Sequence, residues 1–156
     1  MIIYSGRLIA FLLMLICYLT VYLGIRVSLG GKVPKMRDIP AVDALSEGVG
    51  RAAEMGRPVH FTTGYGGGGL YTEQAPWHMA GISLLSTIAF QAAQKGAGLI
   101  ATICWPEMVP VIEDTVKQAY TQAGKPENYD PSMVRYMAPA QMSYAIGVLG
   151  TMQREK

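Results

Sequence analysis

Apolar residues form one long block near the amino terminus and recur in shorter blocks along the rest of the chain. The first block runs from Leu8 to Ile25 and holds 18 residues without a charged side chain. As a helix it would be about 27 Å long, close to the ~30 Å of a hydrocarbon core. A cleaved signal sequence has a shorter apolar core and a small-residue cleavage site, and the pattern has neither. We therefore expect an uncleaved transmembrane anchor in residues 1–29, with residues 8–29 in the lipid bilayer.

The shorter apolar blocks lie in residues 38–156, here called the body, and they alternate between a helical and a strand-like pattern. The predicted helices are Pro40–Met55, Pro76–Gly96, Pro106–Gly124 and a last one that begins at Pro139. The predicted strands are Pro58–Thr63, Gly98–Ile103 and Met133–Met137. Helices between short apolar strands indicate crossover connections and a parallel sheet. The predicted fold class is α/β: one N-terminal transmembrane helix, then a small Rossmann-like three-layer domain with a short parallel sheet.

A sheet of three strands has two open edges, and the last predicted helix has little sheet left to cover. That helix is largely apolar, with Met142, Ile146, Leu149 and Met152 among its residues. We therefore expect that the chain continues in further sequence, or that the body packs against a partner subunit or a second copy.

Charge is distributed unevenly along the chain. The net charge is +2, with 51% hydrophobic and 15% charged residues, but residues 1–37 hold five bases and no acid. The body therefore holds eight bases and eleven acids, a net of −3, which argues against a nucleic-acid partner. Arg7 precedes the apolar block, whereas Arg26, Lys32, Lys35 and Arg37 follow it. The positive-inside rule then predicts an outside amino terminus, a basic juxtamembrane linker in residues 30–37 and a cytoplasmic body.

A run of glycines follows the first predicted strand. Gly64, Gly66 and Gly69 match the dinucleotide-binding pattern G-x-G-x-x-G, and Gly67 and Gly68 lie within it. The match is weak, because five glycines in six positions satisfy many patterns and six residues separate Gly69 from Pro76. The second strand also lacks a terminal acidic residue for a ribose. The pattern favours a connecting or contact loop, with a phosphate-bearing ligand as the alternative.

Other residues with reactive or aromatic side chains lie near the predicted strand ends. Cys104 ends the second strand before a helix, which can activate a thiol, but no acid–His–Cys signature surrounds it. The only other cysteine, Cys17, lies in the membrane block, so the two cannot pair within one chain. Trp77 and Trp105 begin two helices on the same rim and are candidate partner contacts. The pattern predicts no catalytic set, metal site or cofactor.

Three segments of the body carry a family resemblance. They are residues 39–59, Cys104–Glu107 and Tyr129–Pro131. In these segments the chain resembles a family of uncharacterised prokaryotic membrane-anchored proteins that is classed as a domain of unknown function. The resemblance implies longer relatives that continue past Lys156, often with further hydrophobic segments, and it implies no activity and no catalytic residue.

Two functions follow as expectations. The first is a non-enzymatic, membrane-tethered accessory or scaffold subunit that acts through protein contacts in a larger membrane assembly or a homo-oligomer. The second is a Rossmann-like domain that binds a nucleotide or another phosphate-bearing ligand at the Gly64–Gly69 loop.

Overall fold

The computed structural model describes residues 7–30 and 39–155, which fall into two separate units divided after Ile39. The predicted linker, residues 30–37, lies outside the described residues apart from Gly30. Each unit is therefore considered by itself.

Among residues 7–30 of the first unit there is one helix, α1, at Leu8–Leu29. Its 22 residues are all exposed, and Arg26 in the last turn is the only charged residue among them. At 1.5 Å per residue the helix is about 33 Å long. By length and composition alone, α1 is long and apolar enough to cross a membrane.

The body contains a three-stranded parallel sheet, as the sequence predicts. The strands are β1 at Val59–Thr62, β2 at Leu99–Ile103 and β3 at Val134–Tyr136. They lie in the order β1-β2-β3, so β2 is central, and all five of its residues are buried. In the register, Thr62 and Arg135 lie on either side of Thr102. The short parallel sheet is confirmed.

The described part of the body also contains five α-helices. They are α2 at Pro40–Asp43, α3 at Leu45–Glu54, α4 at Ala75–Lys95, α5 at Val109–Gln122 and α6 at Gln141–Arg154. The predicted helix at Pro40–Met55 is interrupted at Ala44, and the last helix begins at Gln141 instead of Pro139.

The predicted helix at Pro106 begins as a separate 3-10 turn, Pro106–Met108, because Pro110 has no N–H to bond the carbonyl of Pro106. The α-helix α5 therefore starts only at Val109. The prediction was wrong by three residues at this end, and the cause is the second proline rather than the hydrophobic pattern.

One face of the sheet is apolar and carries the main core. Alternate strand residues point to this face, including Phe61, Ala101 and Ile103, and they pack against α4 and α5. The helices contribute the fully buried residues Leu85, Ile112 and Val116. This continuous apolar cluster fixes the strand ends in space, and the loops that follow them are positioned by it.

The opposite face of the sheet carries His60, Thr62 and Thr102 beside the buried Ile100, and α6 bonds this face through Tyr144. Tyr144 of α6 is buried and hydrogen-bonds β2, while Thr151, about two turns later, is also buried. Gly147 lies between these two residues. A Cβ on it would lie 3.2 Å from the sulfur of Met137, so glycine lets α6 pack closely against Met137.

Four large apolar residues of α6 are largely exposed, although Met152 also lines the cavity beside His60 and Thr151. We call Met142, Ile146, Leu149 and Met152 the outer stripe, and they are 76%, 68%, 59% and 48% exposed. A helix on a soluble domain normally buries its apolar stripe and exposes its polar residues. The helix α6 has the reverse arrangement.

Candidate functional site

The glycine loop lies at the carboxyl end of β1, where it contacts the end of β2. The amide of Gly64 donates to Oγ1 of Thr62 at 3.1 Å. The thiol of Cys104 donates to the carbonyl of Gly64 at 3.5 Å. The loop thus runs from its own strand across the end of the central strand, where ligands bind in open parallel sheets.

Two aromatic rings occupy this edge of the sheet. The indole N–H of Trp105 donates to the carbonyl of Gly66 at 2.7 Å. Tyr65 stacks on Trp105 with ring centroids 6.0 Å apart, and its hydroxyl donates to the carbonyl of Pro139 at 3.1 Å. Tyr65 and Trp105 therefore connect the glycine loop with the segments that follow β2 and β3.

The second half of the loop requires glycine for steric reasons. Gly69 has a φ of +62°, and a Cβ on it would overlap Oε1 of Glu107 and contact the indole of Trp105. Gly68 also has positive φ, and its Cβ would overlap the methyl group of Thr72. Backbone conformation and close packing account for these two glycines without a ligand.

The loop does not lead directly into a helix, unlike a dinucleotide-binding loop. A 3-10 turn at Gly69–Tyr71 follows, and α4 starts at Ala75. Thr72 donates to the carbonyl of Gly67 at 3.2 Å and accepts from the amide of Gln74 at 3.4 Å. Thr72 therefore closes the loop onto itself before the helix begins.

One buried polar group beside the loop has no hydrogen-bond partner among the described residues. The imidazole of His78, on the first turn of α4, is 1% exposed, and neither ring nitrogen is paired. Oε1 of Gln74, one turn earlier, is also buried and unpaired. A Cβ on Gly66 would lie 2.7 Å from Nε2 of His78 and 3.1 Å from Oε1 of Gln74. Both side chains thus face the backbone of the glycine loop.

Cys104 is fully buried rather than exposed to a substrate. Burial raises the pKa of its thiol, and the nearby carboxylate of Glu107 raises it further. Its hydrogen-bond partner is the carbonyl of Gly64, so no histidine acts on the thiol as a base. At neutral pH the thiol is therefore protonated, which is the opposite of an activated nucleophile.

The two tryptophans have different environments. Trp77 is 72% exposed at the start of α4, whereas Trp105 is partly buried and hydrogen-bonded to the loop. Only Trp77 therefore presents its ring to solvent, together with Tyr71 in the preceding turn. Within residues 7–30 and 39–155, no three His, Cys, Asp or Glu side chains are grouped so that they could hold a metal ion.

A second cluster of polar residues lies between the sheet and α6. We call His60, Thr62, Thr102 and Tyr144 the polar layer. The hydroxyl of Tyr144 donates to the carbonyl of Thr102 and lies 3.2 Å from its Oγ1, and it also bonds Oγ1 of Thr62. Oγ1 of Thr102 lies 3.1 Å from Nε2 of His60.

Sequence reasoning missed the polar layer. Its signal was the alternation of polar residues in the strands, since His60, Thr62, Thr102 and Arg135 occupy positions on one face. The alternation predicts a polar face of the sheet, but it does not identify Tyr144 as the residue that binds this face. The rings of Tyr65 and Tyr144, 6.5 Å apart, connect this layer with the glycine loop.

The charge state of His60 depends on this environment. Burial lowers the pKa of its imidazole, and the positive charge of Arg135 lowers it further. Nη1 of Arg135 lies 2.8 Å from Oε1 of Glu155, so the guanidinium partly neutralises the negative charge of Glu155. His60 also lines a cavity of about 160 Å³ together with Arg57 and Thr151. The folded protein therefore favours the neutral imidazole.

The glycine loop provides a matched pair of substitutions. We expect Gly69→Ala to lower the free energy of unfolding by at least about 1–2 kcal/mol, because alanine is strained at positive φ and its Cβ would displace Glu107. Gly67→Ala should change it by less than about 0.5 kcal/mol, since the nearest atom lies at an ordinary 3.7 Å. Urea unfolding of the detergent-solubilised full chain measures both, and equal losses would contradict this packing.

A pH dependence follows from the lowered pKa of His60. The unfolded chain, with a histidine pKa of about 6.5, binds more protons than the folded chain just below that pH. The contribution of the neutral His60 to the free energy of unfolding is therefore complete above about pH 6.5 and is lost as the pH falls below it. We expect His60→Gln to reduce the loss of stability between about pH 7.5 and 5, as measured by urea unfolding. His78 is present in both proteins, so an unchanged slope would exclude His60 as the group responsible.

The comparisons with known proteins give one match. No curated protein matches the chain, and no solved structure matches it. A family model does match, and it spans residues 2–156, which include the three segments that carry the resemblance. The expectation of an uncharacterised family is confirmed at this level. The chain belongs to the family described as Domain of unknown function (DUF6754).

Proposed function

We propose that this protein is a membrane-tethered interaction module, an accessory or scaffold subunit that acts through protein contacts in a membrane assembly. The observation that carries the proposal is the orientation of α6. Its polar residue Tyr144 holds the sheet, while the outer stripe faces away from the body.

Exposure of the outer stripe to water is energetically unfavourable. Full burial of a Leu, Ile or Met side chain stabilises by about 1.5–3 kcal/mol, and the four side chains of the stripe are half to three-quarters exposed. A partner that covered all four would gain roughly 1 kcal/mol or more from each. Contiguous apolar surface of this kind marks interaction sites in soluble domains. A contact face on α6 accounts for the stripe, whereas folding of the body does not use it.

The tether is α1. We propose that residues 8–29 span a bilayer, with the amino terminus outside and the body in the cytoplasm. The four bases after the helix support this orientation, since only Arg7 precedes it. The prokaryotic membrane-anchored character that the resemblance implies is part of the same proposal.

The fold also has a finer interpretation. We propose that the body is a small Rossmann-like domain of three layers, with α4 and α5 on one side of the sheet and α6 on the other. The packing of the apolar core and the bonds of Tyr144 support this arrangement. A non-enzymatic role is supported by the buried Cys104 thiol, which has a carbonyl rather than a histidine as its partner.

One observation favours ligand binding at the glycine loop as a second candidate. His78 and Gln74 are buried with unpaired polar atoms that face Gly66, and such groups cost about 1–3 kcal/mol each unless a polar partner reaches them. The stacking of Tyr65 on Trp105 across the same edge opposes it. We therefore rank it below the contact function.

The contact function is tested by charging the outer stripe. In the full chain purified in mild detergent, Ile146→Glu combined with Leu149→Glu should reduce the mass of the complex to that of the monomer, as measured by light scattering. Because Ile146 and Leu149 are 68% and 59% exposed, the melting temperature should stay within a few degrees. The matched control is Val111→Glu, an exposed apolar position on α5, which should leave the mass unchanged. An unchanged mass in the double variant would refute the contact function at α6.

The ligand candidate is tested by thermal shift of the same protein with ATP, NAD and inorganic phosphate. A ligand at 100 times its Kd stabilises the folded chain by about 2.7 kcal/mol, which corresponds to a shift of several degrees. The shift should disappear in His78→Phe. If none of the three compounds raises the melting temperature of the unaltered chain, the glycine loop is a structural loop.

A further inference from the structure

We infer that the polar layer couples protonation of His60 to the conformation of the glycine loop. A continuous series of hydrogen bonds, here called the hydrogen-bond chain, joins the imidazole to the loop. A proton added at the imidazole converts the acceptor at one end of this chain into a donor, so the bonds along it rearrange as far as the loop. The coupling is independent of the contact function.

The hydrogen-bond chain begins at the glycine loop and ends at the cavity beside α6. The amide of Gly64 donates to Oγ1 of Thr62 at 3.1 Å, and this oxygen also bonds the hydroxyl of Tyr144. The same hydroxyl lies 3.2 Å from Oγ1 of Thr102, which lies 3.1 Å from Nε2 of His60. Each of the three hydroxyl groups bonds a neighbour on both sides, so a change in one bond alters the next.

The amide at the loop end sets the direction of the hydrogen-bond chain. Because the N–H of Gly64 can only donate, Thr62 accepts from it and directs its own proton to the oxygen of Tyr144. Tyr144 in turn directs its single proton to Thr102, whose carbonyl and hydroxyl oxygens are both 3.2 Å away. Donation therefore runs from the loop towards the centre of the sheet.

The other end of the hydrogen-bond chain must accept a proton. The hydroxyl of Thr102 has Nε2 of His60 at 3.1 Å and the carbonyl of Phe61 at 3.5 Å, which is near the limit for a hydrogen bond. The oxygen of Tyr144 is already occupied by the proton of Thr62. The hydroxyl of Thr102 thus donates to Nε2, which accepts only in the neutral imidazole that carries its proton on Nδ1.

Protonation of His60 removes this acceptor. Both nitrogens of an imidazolium donate, so Nε2 becomes a donor towards Thr102. The hydroxyl of Thr102 then turns to the oxygen of Tyr144, where it competes with the proton of Thr62. The bond between Thr62 and the amide of Gly64 is the next in the series, and the loop loses part of the contact that holds it to β1.

The charged groups around His60 determine when this change occurs. Arg57 precedes β1 and lines the cavity together with Glu155 of α6, while Arg135 of β3 pairs with Glu155. The phenol of Tyr144 is the other titratable group that α6 places near the ring. Two guanidinium groups thus oppose one carboxylate, and burial and Arg135 hold the pKa of the imidazole below its usual value. The rearrangement is therefore expected below about pH 6.5.

The fluorescence of Trp105 measures the response of the loop, because its indole N–H donates to the carbonyl of Gly66 at 2.7 Å. The protein has two tryptophans, so Trp77→Phe leaves Trp105 as the only one. In the full chain with this substitution, in mild detergent, we expect the emission to change as the pH falls from about 7.5 to 5, with a midpoint below about 6.5. His60→Gln should abolish the change. His78 faces the same loop and is retained, so a change that persists would overturn the inference.

The hydrogen-bond chain itself is tested by Thr102→Val, which removes the hydroxyl and keeps the shape of the side chain. His60 should still titrate, as measured by nitrogen NMR of the labelled ring, but the emission of Trp105 should no longer follow it. Tyr144→Phe breaks the same chain and keeps the ring near Tyr65, so it replaces Thr102→Val if that variant does not fold. Emission that still follows His60 in these variants would show that the coupling does not use the chain.

Three further measurements complete the test. Thr121→Val, at an exposed threonine of α5, is the matched control and should keep the full response. At about pH 7.5 the nitrogen shifts of His60 should be those of the Nδ1–H tautomer, and those of the Nε2–H tautomer would contradict the inference. Circular dichroism should stay constant over the same pH range. A helical signal lost together with the emission change would indicate unfolding, and the inference would then be wrong.

Discussion

Thr102 lies at the centre of the sheet, and its hydroxyl and carbonyl are the points at which three elements of the body meet. Its side chain contacts His60 of β1, and both its polar groups contact Tyr144 of α6. Because an unpaired buried polar group is costly, these bonds favour the orientation in which Tyr144 of α6 faces the sheet. The other side is left to the apolar residues. The exposure of the outer stripe is thus a consequence of the polar layer beneath it.

The sequence was most informative where the determinants are local. Prolines and glycines set the ends of the helices, and short apolar runs identified the strands, of which β2 is wholly buried as its composition predicts. The errors are also local, as at Pro110, where a missing N–H delays α5. Elements of this type depend on a few adjacent residues, so a single sequence is sufficient to predict them.

The polar layer could not be predicted in the same way, because its members are far apart in the chain. Thr62 and Tyr144 are 82 residues apart, and Thr102 and Tyr144 are 42 apart. Nothing local in α6 indicates that its tyrosine, and not its methionines, faces the sheet; the periodicity alone favours the opposite orientation. At the glycine loop, the pattern placed the glycines after the first strand, but the hydrogen bonds of Tyr65 and Trp105 join residues 74 and 39 positions apart in the chain.

The two sides of α6 are subject to different kinds of selection. A change at Tyr144, Gly147 or Thr151 acts on the stability of the body, because these positions face the sheet. Under the proposed contact function, a change at Ile146 or Leu149 acts on association, because these two side chains are largely exposed. Related chains can therefore diverge in what they bind while retaining the same body, and paralogues in one membrane can become separated into non-exchanging populations by a few substitutions on a single helix face.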